Sequence, residues 1–476
     1  MRKYEEREDK FDVEPDWVMP QLTPLVPDGG RLDQDQRTLI STYFDTADAA
    51  LRLFGVTLRR RIGGSDTGWQ LKVPTGTSRT ELQSGARTKT VPGALAEAVS
   101  GLLAGDAVAP VATVHTQRTA YRVLDADDQL VLEVADDQVE SAVAGADLPA
   151  RSWRQVEIEF GSATKKTIKQ ARKLLSEAGG TPSVSRNKLD QALGGIPSAP
   201  EQGGHGAGDG TLGALVGDYI ASQCDVLASN DAGLRTGINL VHKTRVAARR
   251  LRSTLRVFGT LFDADAANKL DGELSWYAGL LGQVRDRDVL GGHLAERITA
   301  LPAKHLRGLV AEEIVATLDQ ERTAAFDRLR QAMDSDRYRG LIRLLRGWRL
   351  APPFTTDAAA KPTAVDDFVG RAQHKADKRL RKAGDDVDRL HRARKALKRA
   401  RYAAELGEPA DPNLSGAAKE AKRLQTALGD HQDAIVAAAF LSTTPASNGP
   451  NAFSYGFLTA NELAAAARIR AGLNHR

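Results

Sequence analysis

Several short stretches in the first 190 residues place acids and bases at alternate positions. Glu6, Glu8 and Lys10 are two residues apart, and on a strand such side chains share a face. Arg59 with Arg61, Arg79 with Glu81, and Glu157 with Glu159 alternate likewise. Lys72 lies on the face opposite Trp69 and Leu71, Glu133 sits among Val131, Leu132 and Val134, and Arg118 precedes a further strand. Each stretch offers one apolar face and one face of Arg, Lys or Glu. Guanidinium and ammonium groups hold phosphate oxygens. Carboxylates hold a hard divalent cation, Mg²⁺ or Mn²⁺, which offsets the charge on those oxygens. An exposed antiparallel sheet accounts for any one stretch; a closed barrel with a charged lumen accounts for all of them. This half has no serine, cysteine or histidine nucleophile set, so direct attack by a water is expected. Tyr43 and His115 read as packing or surface residues.

A different pattern lies beyond residue 213. His242, Arg245, Arg249, Arg250 and Arg252 recur as His391, Arg394, Lys398, Arg399 and Arg401. Downstream of each run, Leu281, Gly282 and Asp286 recur as Leu428, Gly429 and Asp433. An ordered pair of matched motifs marks an internal duplication. At spacings of three and four these bases form a stripe along a helix, extended in the first copy by Arg256. Like charges so stacked repel by a few tenths of a kcal/mol per pair. Acids on a neighbouring helix could relieve that; two duplicated stripes point instead to a bound anion. Aromatics are only 5% of the chain, and Phe258 and Tyr402 stand only at the ends of the stripes. Surfaces for single-stranded nucleic acid interleave aromatics for base stacking, so a polymer of phosphates without bases fits better. Arg371, Lys375, Lys378, Arg379 and Lys382 could widen the second surface.

The elements that must carry these residues follow from periodicity. The 476 residues suffice for two or three domains. Residues 1–195 read as strands of period two, with helical pieces near 93–103 and 165–177. Residues 196–212 are a Gly/Pro-rich linker; no strand leads into the glycines and no Gly-Lys-Ser/Thr closes them, so they are not a phosphate loop. Residues 213–476 read as helices in two repeats, about 213–350 and 363–476, with Pro352, Pro353 and Pro362 in the break between them. The fold class expected is α+β multidomain: an N-terminal antiparallel β-barrel or tunnel with flanking helices, then an all-α duplicated helical bundle. Net charge is +5 and there is one cysteine, Cys224, so neither an internal disulfide nor a thiolate cluster can form. No apolar run reaches membrane-spanning length, and the charged N-terminus is no secretory signal. A cytoplasmic protein is expected.

The run Glu6, Glu8, Lys10 resembles the Glu-x-Glu-x-Lys signature of the CYTH family, the triphosphate tunnel metalloenzymes. Supporting stretches are residues 43–46, 55–61, 69–72 and 157–159, with 185–188 resembling the family's closing basic motif. The resemblance implies Glu6, Glu8, Glu157 and Glu159 as ligands of Mg²⁺ or Mn²⁺. It implies Lys10, Arg59, Arg61, Lys72, Arg118, Arg186 and Lys188 as the phosphate cradle, with Glu133 placing a second metal or the attacking water. Glu6, Glu8, Lys10 and Glu133 form the expected catalytic set. The duplicated His-x-x-Arg runs resemble the CHAD family, helical domains associated with polyphosphate binding. That implies a basic surface of His242, Arg245, Arg249, Arg250, Arg252, His391, Arg394, Lys398, Arg399 and Arg401, with Asp286 and Asp433 organising it. The activity implied is hydrolysis of inorganic triphosphate or short polyphosphate, with polyphosphate as a bound partner and its granules as a place of association. Alternatives are thiamine triphosphate hydrolysis, class IV adenylate cyclase chemistry in the same tunnel, and a non-catalytic polyphosphate scaffold.

Overall fold

A computed structural model describes residues 2–64, 66–74, 79–145, 150–185, 187–194, 210–302, 306–443 and 450–474, with side chains described from residue 7 on, except at 450, 473 and 474. The chain divides into two compact units, Met1–Pro200 with Ser229–Ile238, and Glu201–Ala228 with Asn239–Arg476. Among the described residues no helix is long and apolar enough to cross a membrane.

The first unit holds the strands β1 (Arg2–Glu6), β2 (Glu8–Val13), β3 (Arg31–Asp45), β4 (Thr57–Ile62), β5 (Gly68–Pro74), β6 (Arg79–Ser84), β7 (Ala109–Leu124), β8 (Leu130–Val143), β9 (Arg151–Phe160) and β10 (Thr181–Pro182). Its short helices are α1 (Ala50–Leu53), α2 (Gly93–Leu103), α3 (Lys165–Glu177) and α4 (Lys188–Leu193). The strands form one antiparallel ladder in the order β1-β6-β5-β4-β3-β7-β8-β9-β2-β10. The ladder itself stays open, but the chain links its ends: β1 pairs with β6, and β2, one residue further on, pairs with β9. At the switch, the carbonyl of Arg7 accepts the Phe160 N–H at 3.0 Å. The stretch read from sequence as one strand carrying Glu6, Glu8 and Lys10 is therefore two, because its two halves pair with opposite ends of the ladder. Arg118, expected ahead of a strand, lies inside β7.

The alternation sorts residues to two faces. Phe11, Val123, Leu132, Val134, Val156 and Ile158 point outward and pack with Ala171 and Leu175 of α3 and with Trp17, Leu22 and Leu25. Burying each such large side chain contributes roughly 1.5–3 kcal/mol. On the opposite face Tyr43, Ala112, Val114 and Val139 pack against Leu189, Ala192 and Leu193 of α4. That face carries Arg118 and Asp137, so α4 fills part of the lumen with apolar side chains. The Asn187 side chain starts the helix by accepting the Asp190 N–H at 3.0 Å. The β4–β5 connection needs glycine at 63: its φ is +93°, and a Cβ there would stand 2.1 Å from the Thr38 carbonyl oxygen.

The second unit is helical, as the periodicity predicts. α5 (Leu212–Arg235) spans the division between the units and is followed by α6 (Val241–Val257), α7 (Ala264–Ala300), α8 (Val310–Met333) and α9 (Asp336–Leu350). After the proline-containing break come α10 (Val365–Arg381), α11 (Val387–Gly407), α12 (Leu414–Thr443) and α13 (Pro450–Asn474). The duplicated stripes lie on α6 and α11, and the duplicated Leu-Gly-x-x-x-Asp motifs on α7 and α12. Asp263 and Asp386 cap α7 and α11 by accepting the N–H groups of Ala266 and Arg389, each at 2.9 Å. Small residues allow close helix packing: Ala376, Ala393, Ala396 and Ala400 form a buried cluster with Leu390, Leu397 and Leu428.

Candidate active site and basic cleft

In the first unit the inward side chains of eight strands, β2 to β9, meet in one cavity of about 220 Å³. Its lining includes Glu8, Lys10, Arg37, Tyr43, Arg59, Arg61, Lys72, Arg79, Glu81, Arg118, Glu133, Glu157 and Glu159, with Asp66 and Lys188. Ladder register sets who meets whom. Lys10 stands across from Glu157, and Arg118 across from Asp137. Lys72 stands across from Glu81, and Arg59 across from Gln70.

Glu157 is the hub of the acidic wall. It accepts from Lys10 Nζ at 2.8 Å, Lys188 Nζ at 2.7 Å and Arg118 Nη2 at 2.7 Å. Burial alone would raise its pKa; Lys10, Lys188 and Arg118 outweigh that and hold it well below the usual carboxylate range. Asp137 is wholly buried and takes both a bidentate pair from Arg118, 2.7 Å each, and Lys188 at 2.9 Å. Burial of Lys10 works against its charge, but Glu157 and Glu8 together raise its pKa.

A row of like charges crosses the ladder one step away. Glu8 is the register partner of Glu159, which is in turn the partner of Glu133. Like charges directly opposite are destabilising in a sheet. Glu133 is relieved by Arg37 at 3.0 Å and Arg122 at 3.5 Å. Glu8 has Lys10 at 2.5 Å, and Glu159, with a side chain 43% exposed, has Arg118 at 4.0 Å. Oxygens of Glu8, Glu157 and Glu159 lie within 4.8 Å of one another. An all-oxygen, carboxylate-rich set of this kind fits a hard divalent cation.

Facing this wall is a more basic one. Arg59 donates to Gln70 at 2.5 Å and to the Tyr43 hydroxyl at 3.3 Å. Arg61 donates to Ser41 at 3.3 Å and pairs with Asp66. Burial pushes the Arg61 guanidinium down, and Arg59 and Arg118 add to this against the pull of Asp66. Burial would raise the Tyr43 phenol, yet Arg59, Arg61 and Lys188 bring it below its ordinary value.

The structure thus gathers Glu8, Lys10, Arg59, Arg61, Lys72, Arg118, Glu133, Glu157, Glu159 and Lys188 around one cavity. The Glu6 side chain and Arg186 lie outside the described residues. Sequence reasoning missed Arg37, Asp66, Arg122 and Asp137. Asp137 shares the parity of Glu133 on β8, and that was the signal available for it. Tyr43 packs as expected but also lines the cavity, and His115 is exposed.

In the second unit the ten bases separate into groups. Arg250 pairs with Glu405 at 2.8 Å, Arg252 with Asp271 at 2.9 Å, and Arg401 with Glu405 at 2.6 Å. Arg399 has Arg256, Arg379 and Arg252 for neighbours; burial, then these charges, push it down. Arg245, Arg249, Arg394 and Lys398 converge from α6 and α11. Burial, then Arg394, Arg249 and Arg245, push Lys398 down to about 7, with Asp433 pulling the other way. Arg245 also pairs with Asp286 at 2.9 Å. Arg249 Nε, Arg394 Nε and His391 Nδ1 are buried with no hydrogen-bond partner among the described residues. His242 lies near Arg285, Arg249 and Arg245; burial, then these charges, lower its pKa.

The duplicated glycines now have a reason. A Cβ on Gly282 would meet Arg245 Nη2 at 3.3 Å, and one on Gly429 would meet Arg394 Nη2 at 3.1 Å. Each glycine lets a guanidinium lie against the next helix.

Fold and site define a triphosphate tunnel unit joined to a duplicated basic helical unit, and family comparison agrees: a CYTH domain matches residues 28–191 and a CHAD domain residues 218–442. The chain belongs to the family of two Mycobacterium tuberculosis proteins described as uncharacterized, MT2285 of strain CDC 1551 / Oshkosh and Rv2226 of strain ATCC 25618 / H37Rv. It is 30% identical to each over 496 aligned residues, covering 98% of this chain and 94% of theirs. Similar solved structures include PptA from Streptomyces chartreusis, with TM-score 0.46 and 23% identity over 56% of this chain and 100% of that one. Another is PH1819 from Pyrococcus horikoshii OT3, with TM-score 0.24 and 16% identity over 39% of this chain and 95% of that one.

Proposed function

We propose that the first unit, bounded near residue 195, hydrolyses the terminal phosphoanhydride of inorganic triphosphate or short polyphosphate. We further propose that the helical unit beginning near residue 213 binds polyphosphate. The observation that carries the first reading is the cavity in which Glu8, Glu157 and Glu159 face Arg59, Arg61 and Lys72. Glu8, Glu157 and Glu159 would hold Mg²⁺ or Mn²⁺, which when bound neutralises phosphate charge and orients water. Arg59, Arg61, Lys72, Arg118 and Lys188 bind the non-bridging oxygens and stabilise charge on the leaving phosphate. Glu133, tied to Arg37 at 3.0 Å, would place a second metal or the attacking water at its end of the cavity. Water adds its oxygen to the terminal phosphorus as the anhydride P–O bond breaks. Support for the second reading is the convergence of Arg249, Arg394 and Lys398, where the buried Arg249 and Arg394 Nε–H groups have no partner among the described residues.

The test is phosphate release by the full-length protein with Mg²⁺ or Mn²⁺, offering triphosphate, ATP and thiamine triphosphate in parallel. Release is expected from triphosphate, lost with EDTA and lost in Glu8→Gln. No release from any of the three sinks the hydrolase reading and leaves a polyanion-binding scaffold. Preferential turnover of ATP or thiamine triphosphate moves the activity to the cyclase or thiamine triphosphatase class.

A further inference from the structure

The two halves of the helical unit copy their histidine-bearing helices but not the helices that precede them. α5 carries one cation, Arg235, and three acids, Asp218, Asp225 and Asp231. α10 carries Arg371, Lys375, Lys378, Arg379 and Arg381 against Asp366, Asp367 and Asp377. Its cations recur every three or four residues, so Lys375, Lys378, Arg379 and Lys382 share a face. At the start of α11, Arg389 and Arg392 stand across from them. These six line a groove of about 680 Å³, with no carboxylate and no aromatic ring in its described lining. Five are exposed and Arg379 is half-buried. Arg389 pairs with Asp386 at 3.3 Å, and Arg392 also acts on that carboxylate; Lys375, Lys378 and Lys382 make no ion pair among the described residues. Only one of the two repeats holds this charge, so it is not a by-product of the duplication.

We propose that this groove is a second anion site, taking a further stretch of a linear phosphate polymer without bases. The proposal rests on reading the helical unit as polyphosphate-binding. Six cations with so few acids repel one another, and a chain with one charge per phosphate relieves that while releasing its own counterions. The lack of a stacking ring disfavours nucleic acid. Arg379 is among the charges acting on Arg399, as are Arg252 and Arg256 of α6, so basic charge continues from the groove toward the α6 stripe. A polymer long enough to engage both regions gains by effective concentration, so the groove selects for chain length.

The experiment compares the full-length protein with two variants in EDTA, using long-chain polyphosphate and single-stranded DNA over a range of salt. One variant combines Lys375→Gln, Lys378→Gln and Lys382→Gln, all at exposed positions; the other combines Arg249→Gln and Arg394→Gln. The groove variant is expected to weaken long-chain polyphosphate binding about tenfold or more and to lower the log–log salt slope by about two, for three charges removed. Unchanged affinity and slope in the groove variant, with loss in the Arg249/Arg394 variant, overturns the groove but leaves the reading of the helical unit. Unchanged binding in both overturns both. A groove variant that loses DNA binding while keeping polyphosphate binding also overturns the proposal, in favour of nucleic acid.

Discussion

The tunnel concentrates buried cations and the helical cleft half-buried ones, and the two neutralise them in different ways. In the tunnel the cations have acids within reach: Lys10 has Glu157, Arg118 has Asp137 and Glu157, and Lys72 has Glu81 at 3.3 Å. In the cleft Arg249, Arg394 and Lys398 crowd one another, and the acids acting on them are Asp286 and Asp433. The tunnel therefore carries its own counter-charges, and its ion pairs hold the cations in place. The cleft stores repulsion that an anion relieves. Acids set among bases suit a site that must also hold a cation, whereas nearly acid-free bases suit binding alone.

The largest effect should come from breaking the tunnel's counter-charge. Glu157→Gln leaves Lys10, Lys188 and Arg118 under-compensated in a buried place, and is expected to destabilise the first unit by about 3–5 kcal/mol. Denaturant unfolding reads this directly. Arg249→Gln in the cleft removes a repelling charge and should leave the unfolding midpoint unchanged or raised. Equal destabilisation by both would break the contrast between the two regions.

Next in size is the acidic row. Glu159→Gln removes a half-exposed carboxylate and should leave stability within about 0.5 kcal/mol, as surface changes usually do. Metal-dependent phosphate release should fall at least about a hundredfold, the scale of losing one electrostatic group at a reaction centre. Full activity in this variant would detach the row from chemistry.

The pH response should differ as well. Lys398 is pushed down to about 7 from an ordinary 10.5. A bound anion favours its ammonium, so binding above pH 7 takes up a proton, and polyphosphate affinity should rise as pH falls toward about 7 and level off below it. The gain is up to about tenfold for each pKa unit the anion restores. The stability effect has the opposite trend. Between about 7 and 10.5 the unfolded chain holds this proton and the folded chain does not, so this residue's contribution rises with pH across that window and is lowest below it. Titrations of binding and of unfolding for wild type and Lys398→Gln check both signs, and the variant should flatten each curve.

The smallest effect tests the glycines. Gly282→Ala and Gly429→Ala should stabilise their helices by up to about 1 kcal/mol through propensity. The new methyl pushes against Arg245 or Arg394, so polyphosphate affinity should fall a few-fold. A rise in stability without that loss would mean the guanidinium positions do not matter for binding.

Much of this molecule was legible because its signals are local. Period two placed Arg59 and Arg61, and Glu157 and Glu159, on shared faces without reference to any partner strand. Period 3.6 and the repeated runs exposed the duplication and the basic stripes of α6 and α11. The Gly-x-x-x-Asp echo was visible too, although its reason was not.

What the sequence by itself determined was which residues share a face and which motifs are copies, since both depend only on spacing along the chain. Tertiary structure alone decided who neutralises whom. Lys10 meets Glu157 across a separation of 147 residues, and Arg250 meets Glu405 across 155. The partner switch at Arg7, the hidden role of Asp137 and the division of ten bases into paired and crowded groups all arise from register and helix crossing. Those depend on how distant segments fit together, and spacing within one segment carries no record of it.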